Sequence, residues 1–84
     1  MDSEKFNALL KALECGSLTG AAEELGYTQA GLTHMMNRLE KEIGVSLLRR
    51  TKTGVKLSPD GERLLPYIKN FTDAALSLDT AINN

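Results

Sequence analysis

The chain has no tryptophan, only four other aromatic residues, one cysteine, one histidine and no long apolar run. Each scarcity excludes something. With two Phe and two Tyr among 84 residues, the core must be built from Leu, Ile, Val, Ala and Met. A chain of this length forms one small domain and buries roughly 60 to 65% of its unfolded surface, enough for a single modest core. A lone Cys15 excludes an internal disulfide and a cysteine-based zinc site. It reads as a small apolar residue at a helix end, with a redox sensor as the lesser alternative. The N-terminus holds no apolar stretch long enough for a signal peptide or membrane span, so a cytoplasmic location and no membrane partner are expected. The sole histidine, His34, has Ala30, Gly31, Asn37 and Arg38 at helical spacing, none of them an acid or nucleophile. No glycine-rich phosphate loop or metal-ligand cluster is present either, so an enzyme, a cofactor and a metal are all unexpected.

Excess charge of one sign is also missing, since the net charge is −1. The charges are nevertheless segregated. Residues 28–56 hold six bases (Arg38, Lys41, Arg49, Arg50, Lys52, Lys56) against two acids (Glu40, Glu42), a balance of +4. The rest of the chain holds four bases and nine acids, a balance of −5. Phosphate contacts are local and their salt-dependent energy scales with their number, so a basic segment counts for more than the total.

That segment contains the pattern around which the chain is organised. In TQAGLTHMMNRLEKEI, residues 28–43, Leu32, Met36, Leu39 and Ile43 form the apolar stripe of a helix packed on a core. Thr28 is a good N-cap and Gly44 a good terminator. Gln29, Ala30, Thr33, His34 and Asn37 lie on the other face, joined lower down by Arg38 and Lys41. Short side chains that donate and accept, grouped at a helix N-terminus, suit the floor of a DNA major groove.

Before it, Asp2 to Leu13 reads as a helix capped by Ser3 or Asp2, with Phe6, Leu9, Leu10 and Leu13 as its apolar stripe. Ser17 then caps a short helix, Leu18 to Leu25, whose buried face is Leu18, Ala21, Ala22 and Leu25. Two helices joined by a tight turn, the second capped and groove-ready, make a helix-turn-helix. The first of the pair normally crosses the DNA backbone, and its N-terminal amides can hold a phosphate, with Ser17 and Thr19 placed there. Ser17 can act as a cap alone or in both roles. After Gly44, Val45 and Leu47 and then Val55 and Leu57 alternate around a basic turn, predicting a hairpin wing with its tip near Lys52 to Gly54. Arg50 and Lys52 are its candidates for phosphate contact.

Ser58-Pro59-Asp60-Gly61-Glu62 opens a last helix with a cap, a proline at the first helical position and early acids. It runs to about Ile82, some 36 Å at 1.5 Å per residue, and Pro66 is expected to bend or loosen it. Leu64, Leu65, Ile68, Phe71, Ala75, Leu78 and Ile82 line one side. So long a stripe exceeds what one small domain can cover, and a second copy packed alongside is the economical partner. The fold expected is mostly α: a winged helix-turn-helix, residues 1–58, followed by a linker and dimerisation helix, residues 59–84.

Many of these residues agree in order and spacing with one family. The matching residues are Phe6, Leu10, Gly16-Ser17-Leu18-Thr19, Ala21-Ala22 and Leu25, then Thr28-Gln29, Leu32-Thr33 and Arg38-Leu39-Glu40. They continue with Gly44-Val45, Leu47, Arg50, Gly54-Val55, Leu57-Ser58 and Gly61. This pattern resembles the N-terminal DNA-binding domain of LysR-type transcriptional regulators, over about residues 4 to 68. The resemblance implies a bacterial transcription factor that dimerises through the linker helix and binds an interrupted inverted repeat in double-stranded DNA. It also implies a small-molecule effector bound in a C-terminal domain that this chain does not carry. Ala30-Gly31 stands where Pro-Ala is usual, Leu48 where Phe is usual, and Thr53 replaces a common wing arginine. Gly31 in the first turn costs about 1 kcal/mol against Ala.

The expected roles follow. Gln29 reads a base edge, Ala30 and Thr33 touch base atoms or a thymine methyl, and His34 bonds a base or phosphate. Thr28, Arg38, Arg50 and Lys52 position the backbone. A helix-turn-helix used for protein interaction, with the last helix as its working surface, is the alternative.

Overall fold

Residues 3–84 are described by a computed structural model. In chain order they form α1 (Ser3–Cys15), α2 (Leu18–Leu25), α3 (Gln29–Ile43), a hairpin of β1 (Leu48–Thr51) and β2 (Gly54–Leu57), and α4 (Pro59–Asn83). Hydroxyl caps start three of the four helices. Ser17, Thr28 and Ser58 each accept the backbone N–H three residues on, from Gly20, Gly31 and Gly61, at 2.9 Å. Each satisfies an amide that the helix itself leaves without a partner. Asp2, one of the two caps expected for α1, lies outside the described residues. The first helix itself runs on to Cys15, two residues past the expected Leu13.

The core gathers Phe6, Leu9, Leu18, Leu32, Met36, Leu39, Leu47 and Val55 around the alanines 8, 12, 21 and 22. In α1 the buried positions are Phe6, Ala8, Leu9 and Ala12, while Leu10 is half-buried and so is Leu13. The expected stripe is shifted because α1 is packed from several sides, by α2, α3, β2 and α4. Small alanines let those neighbours approach closely. Leu25 is corrected from buried to exposed, at 36%. It is the last residue of α2.

The wing pairs Leu48 with Leu57, Arg49 with Lys56, Arg50 with Val55 and Thr51 with Gly54, leaving Lys52 and Thr53 as a two-residue tip. Gly54 has φ of +140°, and a Cβ there would run into the Gly16 carbonyl. The same carbonyl accepts the Val55 N–H at 3.2 Å. The wing is thereby docked on the turn between α1 and α2, at a place where only glycine fits.

The start of α4 is fixed just as closely. A Cβ on Gly61 would meet the Leu47 carbonyl and the Leu57 side chain, so its absence lets the first turn lie flat on the wing. Gly61, Ile68 and Thr72 of α4 are buried, Ile68 as part of the core. Pro66 does not interrupt the helix. Pro66 and Glu62 are both exposed, so the Glu62 carbonyl that loses its amide partner lies on the solvent side.

Candidate nucleic-acid interface

The N-terminal half of α3 buries Leu32 in the core and leaves one face open to solvent. Gln29, Ala30, Thr33, His34 and Asn37 together line one shallow concave surface. Thr33 is half-buried and the other four are exposed. No acid lies among them. Lower on the same helix His34 shares a second shallow surface with Arg38, Lys41 and Glu42. The cap geometry produces this arrangement: Thr28 holds the first turn in place, while Leu32, Met36 and Leu39 turn the opposite face into the core. Thr28, Arg38, Arg50 and Lys52 are all exposed. Ser17 is half-buried and its oxygen is engaged in capping α2, whereas Thr19 is exposed beside it.

The wing adds charge in an unusual way. Residues directly opposite in an antiparallel pair share a face, so Arg49 and Lys56 project together from one side of the hairpin. Like charges placed opposite one another weaken a hairpin. Neither residue was among the expected contacts. The signal that finds them is the register, which places both on the outer face once Val55 turns inward.

The acids of the basic segment are engaged elsewhere. Glu42 pairs with Lys5 of α1 at 3.1 Å. Glu40 accepts the backbone N–H groups of Leu47 and Leu48, at 2.5 and 2.9 Å. Among the described residues no ion pair involves Arg38, Lys41, Arg49, Arg50, Lys52 or Lys56. The segment's full set of positive charges faces solvent.

Cys15 sits near Glu24 and Lys11. Burial, and then the Glu24 charge, pushes its thiol above the ordinary range, which disfavours the thiolate that redox sensing needs. Lys11 is held above its usual range by hydrogen bonds to Glu14 and then Glu24.

Along α4 the expected apolar stripe divides in two. Ile68 is buried at 6% and Leu64 packs against the core. Leu65 and Ala75 are half-buried. The Phe71 ring meets Phe6 edge-to-face at 5.6 Å yet stays 38% exposed. Leu78 and Ile82 are 63% and 71% exposed. Tyr67 and Leu76, both absent from the expected stripe, are equally open. Phe6, Ile43, Val45, Leu64, Tyr67 and Phe71 line an apolar groove, with Arg63 at its rim. Among the described residues no helix is long and apolar enough to cross a membrane, and no cluster suits a metal ion.

Comparison with known proteins places this architecture. The model of the bacterial regulatory helix-turn-helix proteins of the lysR family matches residues 3–62. The HTH-type transcriptional regulator CzcR of Bacillus subtilis is 44% identical over 55 residues, which is 66% of this chain and 19% of CzcR. Among solved structures, the CbnR DBD–DNA complex superposes with a TM-score of 0.84 at 27% identity, covering 99% of this chain and 97% of that one. The BenM DBD in its complex with catB site 1 DNA gives 0.85 at 26% identity, covering 95% of this chain and 86% of that one. The chain spans 19 to 25% of the length of the curated relatives it matches.

Proposed function

Because the chain belongs to the lysR family of bacterial regulatory helix-turn-helix proteins, we propose that it binds double-stranded DNA sequence-specifically as a homodimer, on an interrupted inverted repeat, to regulate transcription. One observation carries this reading: an acid-free concave face on α3 belongs to a segment whose six bases have no ion-pair partner among the described residues. A surface that leaves its cations unpaired is suited to phosphates supplied from outside, with counterion release as the driving term. Gln29 bonds a base edge, with adenine as its usual partner, and Ala30 and Thr33 contact base atoms or a thymine methyl. His34 donates to a base or phosphate. Thr28, Arg38, Arg50 and Lys52 fix the backbone, together with Ser17 and Thr19 through the amides at the start of α2. The relatives solved with DNA support the mode.

Dimerisation is assigned to the open part of α4. Phe71, Leu78 and Ile82 expose apolar surface continuous with the groove at Tyr67. Leu64, Leu65, Ile68 and Ala75 anchor or flank this surface rather than forming its exposed crest. Two copies joined this way present two recognition helices to two half-sites. For the whole protein, control by a small-molecule effector held in another domain is part of the same proposal.

The test is selection of bound duplexes from a random pool at about 150 mM salt, which suppresses purely ionic binding. The expected product is an inverted repeat with half-site centres separated by about one helical turn or a multiple of it. A pool that stays random with both the chain and a dimer-forcing fusion of it would defeat the proposal.

A further inference from the structure

An acid on a DNA-facing helix repels phosphate, so Glu40 of α3 stands out. It lies at the seam between the buried and exposed faces and is half-buried. Its Oε2 atom accepts the backbone N–H of Leu47 at 2.5 Å and of Leu48 at 2.9 Å, and the Ser46 hydroxyl is 3.3 Å away. Leu48 is the first residue of the wing. The main chain of Glu40 acts at the same junction, since its carbonyl accepts the Gly44 N–H at 2.9 Å and ends the helix. From the far side, Ser58 donates its hydroxyl to the Ser46 carbonyl and its N–H to the Leu47 carbonyl, at 2.5 and 2.8 Å. The short segment 46–48 is therefore gripped by α3 below and α4 above, with the Leu47 side chain fully buried between them. Hydrogen bonds to an ionised acceptor are about twice as strong as neutral ones and more directional in effect.

We infer that Glu40 is a positioning residue for DNA binding: its carboxylate fixes the root of the wing to the recognition helix, so that Arg50 and Lys52 meet phosphates in register with Gln29 and Thr33. The inference rests on the DNA-binding reading above. It gives Glu40 a function beyond folding, because the wing touches α3 through no other hydrogen bond among the described residues. Docking on Gly16 holds the hairpin near its tip but does not set the distance from its root to α3.

The experiment is a double-mutant cycle between groups that do not touch. Affinity is measured on a mixed-sequence duplex about three helical turns long. Four forms of the chain are compared at about 50 mM salt: unmodified, Arg50→Ala with Lys52→Ala, Glu40→Ala, and the combination. In the unmodified background the wing pair is expected to weaken binding about tenfold or more. In the Glu40→Ala background the same pair is expected to cost less than about threefold, because the contacts are already lost. The salt slope of Glu40→Ala alone should approach that of the wing variant. Equal factors in both backgrounds overturn the inference, since a residue that only supports the fold gives independent effects. A wing pair without effect in the unmodified chain overturns it for a different reason, by removing the phosphate role of the wing itself. Glu40→Gln keeps an acceptor oxygen without the charge and is expected to restore part of the coupling. It also carries the cycle if circular dichroism shows that Glu40→Ala does not fold.

Discussion

The two sides of this molecule treat charge in opposite ways. On the side of α1 and α4, three of the four bases are matched by acids of the same chain: Lys5 with Glu42, Lys11 with Glu14 and Glu24, and Arg63 with Asp60. On the side of α3 and the wing, none of the six bases is so matched among the described residues, and the two acids are bound to other groups. The paired side has more acids than bases and is open in apolar surface. The unpaired side is the reverse. A molecule with a net charge of −1 can present a cationic face because the acids of that segment are held by a lysine and by backbone amides, and net charge alone conceals this.

The contrast can be broken experimentally. The largest effect is expected on the apolar side: Leu78→Glu with Ile82→Glu should leave the fold intact and convert a dimer to a monomer by sedimentation. Loss of the second half-site should weaken binding to an inverted repeat by about 100-fold or more, the scale of avidity between linked sites. Next comes charge reversal of the wing. Arg50→Glu with Lys52→Glu should reduce affinity about 100-fold at about 150 mM salt and lower the salt slope by about two. Fluorescence anisotropy checks both numbers, and Lys11→Glu is the control from the paired side that should leave them unchanged. Gln29→Ala should cost about tenfold on a selected site and nothing on mixed sequence, as expected for the loss of one base contact.

Smaller effects sharpen the same contrast. Thr28→Ala removes the cap of α3 and should destabilise the fold by about 1 kcal/mol, read as a lower melting temperature. Cys15 should react with iodoacetamide more slowly than a free cysteine at pH 8. Its raised pKa leaves less thiolate than an ordinary thiol at any pH below that value. The rate should rise as pH rises toward it.

The elements that hold α3 were legible because their determinants are local. Thr28, Leu32, Met36, Leu39 and Gly44 fix the ends and inner face of α3 within a few residues of one another, and α3 runs as they dictate. The Ser58-Pro59 start of α4 and the alternation around Lys52 are equally local. Features that depend on distant partners were not legible. The burial of Ala8 and Ala12 requires knowing that α1 is surrounded. The withdrawal of Ile68 into the core requires knowing where α4 crosses α1. Glu40 shows the same limit, since its partners lie seven and eight residues away across a loop whose path is set by the burial of Leu47. The resemblance to a family pointed to candidate residues on α3 and the wing but not to the Arg49–Lys56 pairing, which the hairpin register brings together.

The Phe6–Phe71 contact has a mechanical side. Thr72 is the last buried residue of α4, and the helix continues to Asn83, a free arm of roughly 16 Å at 1.5 Å per residue. Turning such an arm by about ten degrees about its anchor carries its apolar tip through about 3 Å, comparable to two residues of helical rise. The aromatic pair thus acts as a fulcrum. Small changes in packing beneath it are magnified at the far end of the helix, where Leu78 and Ile82 lie exposed.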